Sequence, residues 1–324
     1  MTEPLSAPMS QPDVVDQGTG PTAAAAAGGG STPQGRSVWA DAWNELRRNP
    51  LFWVSAVLIL FFVVMAVVPQ LFTSTDPSFA DLNKARQKPS LHGGFFGYDQ
   101  QGYDVYARTI YGARASILIG LLATLFTTLL GGLIGLLAGY IGGWLDAVLA
   151  RVGEIFFALP LLLGGILFLY TFPNDISTPF IVQVVKVVFI LGILGWPSIA
   201  RLMRSSVLQV KPNDYVQAAR ALGATPGRII FSHVLPNSLA PVIVVSTINL
   251  GAFIAAEATL SFLGIGLTPP AISWGIAISD GSGIGLIKVA PHMLLFPSIA
   301  LSLTVLAFIM LGDAVRDALD PKLR

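Results

Sequence analysis

YVQAARALGATPGRIIFSHVLPN, residues 215–237, is the most polar long stretch between two very apolar regions of a 324-residue chain. It holds Arg220, Arg228 and His233, a run of small residues, and a closing Leu235-Pro236. Its local pattern is helical. Asn213 or Asp214 can cap a short helix behind Pro212, and Tyr215 to Leu222 are good or acceptable helix formers. Gly223 fits the left-handed position just past the end. Thr225 can cap a second helix with Pro226 at its first position, and Pro236 closes it. The spacing predicts two short helices joined by a sharp turn at Gly223. Ala218, Ala219 and Ala221 leave a low surface on the first, suited either to a protein groove or to the lipid surface.

What lies on either side sets the class. Hydrophobic residues make up 53 % of the chain and charged residues only 11 %, against about a quarter charged in soluble domains. Apolar runs reach the roughly 20 residues that cross a bilayer. Six spans are expected, at 51–72, 113–140, 150–172, 180–203, 238–263 and 292–312. The chain therefore reads as an all-α, polytopic membrane protein whose transmembrane domain occupies 51–312. A polar external loop is expected at 73–112, a cytoplasmic loop at 204–237 and a cytoplasmic C-terminus at 313–324. Net charge is +1, which offers no field for nucleic acid. There are no cysteines, hence no disulfide, thiolate metal site or Cys nucleophile.

Basic residues fix the expected orientation. With the N-terminus inside, twelve fall on inner segments, among them Arg47, Arg48, Arg151, Arg201, Arg204, Lys211, Arg220 and Arg228; six fall outside, Lys84, Arg86, Lys88, Arg108, Arg114 and Lys288. Both termini and the 204–237 loop are then cytoplasmic. Residues 1–36, rich in Ala, Gly and Pro, lack a signal-peptide pattern and have too little to bury, so disorder is expected there. At 37–50, Trp39, Trp43 and Leu46 share one helical face ahead of Arg47, Arg48 and Pro50, which predicts a helix lying in the membrane interface.

Within span two, Gly131, Gly135, Gly139 and Gly143 recur every fourth residue. Such a stripe lets another helix approach closely, from the same bundle or from a second subunit. No phosphate-cradling G-x-x-x-x-G-K-[ST], no H-E-x-x-H and no G-x-S-x-G occurs, and His92, His233 and His292 are far apart. ATP hydrolysis, catalysis and a metal site are not expected on this chain. Glu154 lies near the inner end of span three and Lys186 within span four; the candidate to pair with Glu154 at membrane depth is Glu257, among the small residues of AAEATLSFLG. Such a group faces a cavity or a partner. With Thr259 and Ser261 it is a candidate to line a polar path, although a spacing of two does not put all three on one helical face.

The opening loop resembles the EAA motif of binding-protein-dependent ABC importer permeases: E-A-A, three residues, Gly, nine residues, an apolar residue, any residue, then Leu-Pro. Gln217, Ala218, Ala219, Gly223, Leu235 and Pro236 match in spacing; Gln217 stands for the Glu and His233 for the apolar residue. GYDQQGYDVYARTIYGARASI, EATLSFLGIGLTPPAISWG and LGDAVRDALDPKLR resemble segments of the C-type permeases of the dipeptide/oligopeptide/nickel group, with Tyr98 and Tyr103 replacing the group's usual Thr and Arg. The resemblance covers the chain from about residue 37 onward. It implies a type I ABC importer permease fold and half of a translocation path for di- or oligopeptides, with nickel or another small solute as the alternative. It also implies a homologous B-type permease, two ATPase subunits (or one fused ATPase) that bind the ATP and Mg, and an extracytoplasmic solute-binding protein. Asp214, Tyr215, Gln217, Ala218, Ala219, Arg220 and Gly223 would form the coupling helix seated in an ATPase cleft. An intramembrane enzyme or a membrane anchor for a cytoplasmic complex remain the alternatives of another class.

Overall fold

Two short polar side chains start the first long helices. The computed structural model describes residues 38–91 and 93–319, with side chains from Ala42 onward; the expected 1–36 tail, the side chain of Trp39 and residues 320–324 lie outside the described residues. Helix α1 (Val38–Leu46) ends in an Arg47 guanidinium 4.8 Å from the Trp43 ring centroid. Asn49 then caps α2 (Pro50–Val67) by accepting the Leu51 N–H at 2.9 Å, with Pro50 at the first position. Asp104 caps α3 (Val105–Ile141) by accepting the Tyr106 and Ala107 N–H groups. The expected start at 113 was therefore eight residues late. Apolarity marks where the hydrocarbon begins, whereas the helix begins at its cap, and 37 residues rise about 56 Å against a core of about 30 Å.

The expected third span is not one straight helix. It divides into α4 (Gly143–Phe157) and α5 (Leu161–Thr171), bent by 79° at the intervening break. Pro160, which starts α5, cannot donate back to the preceding turn, and the chain turns there. Helix α6 (Phe180–Val210) follows. The Lys186 ammonium reaches back to the Phe172 and Pro173 carbonyls at 3.2 and 3.0 Å, capping the C-terminal end of α5 as cations do.

The 204–237 loop is shorter than expected, because α6 runs to Val210. Helix α7 (Asp214–Ala221) follows it, then α8 (Pro226–Ile229). Pro236 does not close the second helix. A π-helical turn at Ile230–Val234 carries α8 directly into α9 (Leu235–Phe262). A proline lacks the N–H and crowds the carbonyl four residues back; the wider turn absorbs that misfit and keeps the axis continuous. Helices α10 (Trp274–Gly281), α11 (Ile284–Val289) and α12 (His292–Leu319) complete the chain. Among the described residues extended pairing is confined to two isolated bridges in the α2–α3 connection, Ala80 with Tyr103 and Tyr98 with Asp104. Five helices are long and apolar enough to span, or six with the bent α4–α5 pair.

The bundle is built on α3 against α6. A Cβ on Gly131 would stand 2.5 Å from the Trp196 carbonyl, one on Gly135 would collide with the Ala200 carbonyl, and one on Gly139 would lie 2.9 Å from Val207 Cβ. These three glycines therefore serve packing within the chain. Gly143 is not on that stripe. Gly142 and Gly143 have φ of +73° and +62°, end α3 and turn into α4, and a Cβ on Gly143 would meet nothing within 4 Å. Where α10 meets α2 and α3, Trp274 is fully buried, donates from Nε1 to the Thr109 carbonyl at 2.8 Å and packs edge-on against Phe62.

Candidate functional site

Helix α7 leaves the bundle attached at few points. Lys211 Nζ donates to the Tyr140 carbonyl at 2.7 Å, which ties the end of α6 to the end of α3. The α7 residue buried in the core is Val216, packed in a cluster with Ile229, Val234 and Val207. Asn213 holds the capping position with extended backbone but makes no side-chain cap; its amide donates to the Tyr215 hydroxyl at 3.2 Å. At the other end Gly223 has φ of +80°. Its N–H donates to the Arg220 carbonyl, and the Ala224 N–H to the Ala219 carbonyl. That is a Schellman ending, which only a residue tolerant of the left-handed region adopts cheaply. Thr225 caps α8 through the Arg228 N–H at 3.4 Å.

The side of α7 away from Val216 is open. Tyr215, Ala218, Ala219 and Leu222, at i, i+3, i+4 and i+7, share one face and line a 460 Å³ cleft with Gly223, Ala224, Arg228 and His233. Leu222 is 88 % exposed and nearby Phe231 is 70 % exposed. Sequence reasoning missed Leu222 and Phe231. The heptad-like recurrence from Tyr215 was the available signal for Leu222, and the expected closure at Pro236 obscured Phe231. Arg220 and Asp214 are exposed on the same helix. Gln217 is folded back: its amide donates to the Lys211 carbonyl at 3.0 Å, so it caps the α6 end. The position where the motif carries Glu thus supports the loop from within.

The candidate path residues separate. Glu257 is completely buried and Ser261 nearly so. Ser261 Oγ donates to Glu257 Oε1 at 2.8 Å and accepts the Leu267 N–H at 3.0 Å. Ser116 of α3 and Ser273, the N-cap of α10, flank the same carboxyl. Glu257 and Ser261 therefore join α9, α3 and the α9–α10 connection inside the subunit, and no open wall is made of them. Their separation of four residues turns both toward α3. Thr259 points elsewhere, is half-buried and returns its hydroxyl to the Ala255 carbonyl at 2.8 Å.

A second polar group ties the α2–α3 connection to α10. Asp99 accepts the Gln101 and Tyr103 N–H groups and pairs with Arg108 at 3.0 Å. Arg108 also approaches Asp280 of α10 at 3.8 Å. Burial raises the Asp280 carboxyl above its ordinary range, Arg108 draws it back down and Asp99 pushes it up.

Residues 131–324 match the family described as binding-protein-dependent transport system inner membrane component, and residues 37–89 match the N-terminal TM domain of oligopeptide transport permease C. The oligopeptide transport system permease protein OppC of Bacillus subtilis is 36 % identical over 288 residues, covering 89 % of this chain and 91 % of that protein. The dipeptide permease DppC of Alkalihalophilus pseudofirmus is 37 % identical over 290 residues, with 89 % and 91 % covered. The glutathione permease GsiD of Salmonella typhimurium is 36 % identical over 290 residues, with 89 % and 92 % covered. Among solved structures, the inward-facing MetNI methionine ABC transporter has a chain that superposes with a TM-score of 0.52 at 21 % identity, covering 65 % of this chain and 96 % of that one. With the family model spanning more than half of the sequence and relatives aligned almost end to end, the chain belongs to the inner membrane permeases of binding-protein-dependent ABC transport systems.

Proposed function

We propose that this chain is the permease subunit of an ATP-driven importer of di- or oligopeptides and that α7 receives the force of a separate ATPase subunit. The observation that carries the coupling reading is the open face of Tyr215, Ala218, Ala219 and Leu222 beside its cleft. A groove can seat this face because the two alanines hold no bulk off the backbone, while Leu222 supplies an apolar anchor that water alone would not favour. The peptide reading rests on the relatives, which are named for oligopeptides, dipeptides and glutathione.

In this reading a homologous B-type permease completes the path, an extracytoplasmic solute-binding protein delivers substrate, and ATP with Mg sits on the ATPase subunits. The α7 side faces the cytoplasm, as do both termini. ATP drives the exchange of inward- and outward-facing states only if the ATPase binds it more tightly in one of them. Glu257 and Ser261 hold the α9–α10 elbow that shapes the outer end of the path, and Thr259 is the member of that trio placed to line it.

A single thiol tests the coupling, since the chain has no cysteine. Ala219→Cys in the assembled transporter should crosslink to the ATPase subunit with a yield that changes on adding ATP. Crosslinking that ignores nucleotide, or none with the complex intact, defeats it. Labelled uptake of a dipeptide, a tripeptide, a pentapeptide and nickel, with and without the chain, tests the substrate class; loss of nickel uptake alone would replace it.

A further inference from the structure

Behind α4 lies a 330 Å³ cavity between α3, α4 and α6. Ile134, Leu149, Phe157 and Trp196 give it apolar walls, and Arg201, Arg204 and Glu154 also line it. Helix α4 covers this space loosely: of its fifteen residues only Gly153 is buried, and a Cβ there would still lie 3.7 Å from Pro197 Cβ and 3.8 Å from the Trp196 ring.

The depth of the cavity follows from α6. Its 31 residues rise about 46 Å, more than the hydrocarbon core of about 30 Å. The first turn exposes Phe180, Ile181 and Val182, so hydrocarbon starts there and ends roughly 20 residues later, near Ala200. Trp196 and Pro197 then sit within the acyl region. Arg201 sits at headgroup level, on the side of the membrane from which α7 emerges.

The charges at this level do not cancel. Arg204 makes a two-pronged ion pair with Asp146, Nη2 lying 2.6 Å from Oδ2. Arg151 pairs with Glu154 at 2.8 Å. Arg201 has no acidic partner among the described residues; its guanidinium lies over the Phe157 ring, 4.3 Å from the centroid. That contact steadies the fork and leaves N–H donors free. One uncompensated cation thus stands at phosphate depth above an apolar cavity open at the helix margin.

We infer that this cavity binds an anionic phospholipid of the leaflet on the α7 side, its phosphate on Arg201 and an acyl chain against Phe157 and Trp196. An amphiphile matches both ends of the site. A peptide lodged there would bury an unmatched polar backbone against apolar walls, which is costly. The acyl chain would fill the space behind α4 and hold that helix off α3 and α6.

The test uses the assembled transporter in detergent, titrated with phosphatidylglycerol or phosphatidylcholine and read by native mass spectrometry. One phosphatidylglycerol should be retained in preference to phosphatidylcholine. Arg201→Gln should weaken that binding about ten-fold, as expected for loss of a charge-assisted contact. Arg201→Lys should keep more of it, and Gly153→Leu, which fills the cavity, should abolish it. Equal retention of the two lipids, or unchanged binding in Arg201→Gln, would overturn the site. Displacement by millimolar inorganic phosphate would show a simple anion site instead and also overturn it. So would efficient crosslinking of Ala150→Cys to the partner permease, because the cavity would then be a subunit contact.

Discussion

At Gly223 a side chain would be strained by the backbone and not by its neighbours. No atom lies within 4 Å of the position a Cβ would take, so space is not the constraint; the backbone angle of +80° is. A non-glycine residue in this region costs roughly 1–2 kcal/mol, and a β-branched one is worse. Gly223→Val should therefore swing α7 away from its partner surface. Uptake should fall several-fold while the amount of protein in the membrane stays near that of the parent. Gly223→Asn should retain more uptake, because Asn tolerates left-handed backbone. Parent-like uptake in a stably expressed Gly223→Val variant would remove the argument. On α10, Asp280 is half-exposed and its carboxyl is raised chiefly by burial. A raised folded-state carboxyl favours folding below the ordinary aspartate range of about 3.8 and loses that contribution as pH rises through its elevated value. Asp280→Asn should then gain thermal stability relative to the parent as pH rises from about 4 toward neutrality. Parallel pH profiles of the two unfolding midpoints would contradict the assignment.

Among the elements, α4 is loosely held. It is hinged by Gly142 and Gly143 at one end and by the break before Pro160 at the other, and a cavity lies behind it. The Asp146–Arg204 pair spans from α4 to α6 near the first hinge. Its side chains are partly exposed, 20 % and 39 %, so its worth is at most about 1 kcal/mol. Asp146→Asn should accelerate hydrogen exchange in the first two turns of α4 by up to about five-fold and leave α3 unchanged. Equal exchange in both proteins would mean that packing alone holds α4. The contrast with α3 is physical: its glycines bring backbone into contact with α6, whereas α4 meets its neighbours mainly across a void.

For the whole molecule, the orientation proposed from the basic residues has a direct consequence. Ser177, in the α5–α6 connection, and Ala219, on α7, should lie on opposite sides of the membrane. In the parent, which lacks cysteine, Ser177→Cys should react with an impermeant maleimide in intact cells. Ala219→Cys should react only after the cells are permeabilised. The reverse pattern would invert the topology and with it the side on which ATPase subunits could dock.

The residues themselves determined the membrane class, the Thr225 cap and the Gly223 turn of the 211–229 segment, and the family, because hydropathy, proline, glycine and side-chain caps act within a few residues of where they stand. Asn49, Thr225 and Gly223 illustrate this: each meets its partner locally. What could not be read from the sequence depends on which surfaces meet. The glycine stripe did not say whether α6 or a second subunit would cover it, nor that Gly143 would fall past the helix end. Glu257 looked like a path residue because intramembrane charge is costly unless it is accommodated; the tertiary structure encloses it, with Ser261 of its own helix donating to Oε1 and Ser116 of α3 and Ser273 at the start of α10 beside it, residues far apart in the chain. Likewise the cavity behind α4 takes its walls from α3, α4 and α6 together. Local chemistry specifies each helix and its ends. Only the packing of distant helices decides which side chains are enclosed and which are left open to lipid or partner.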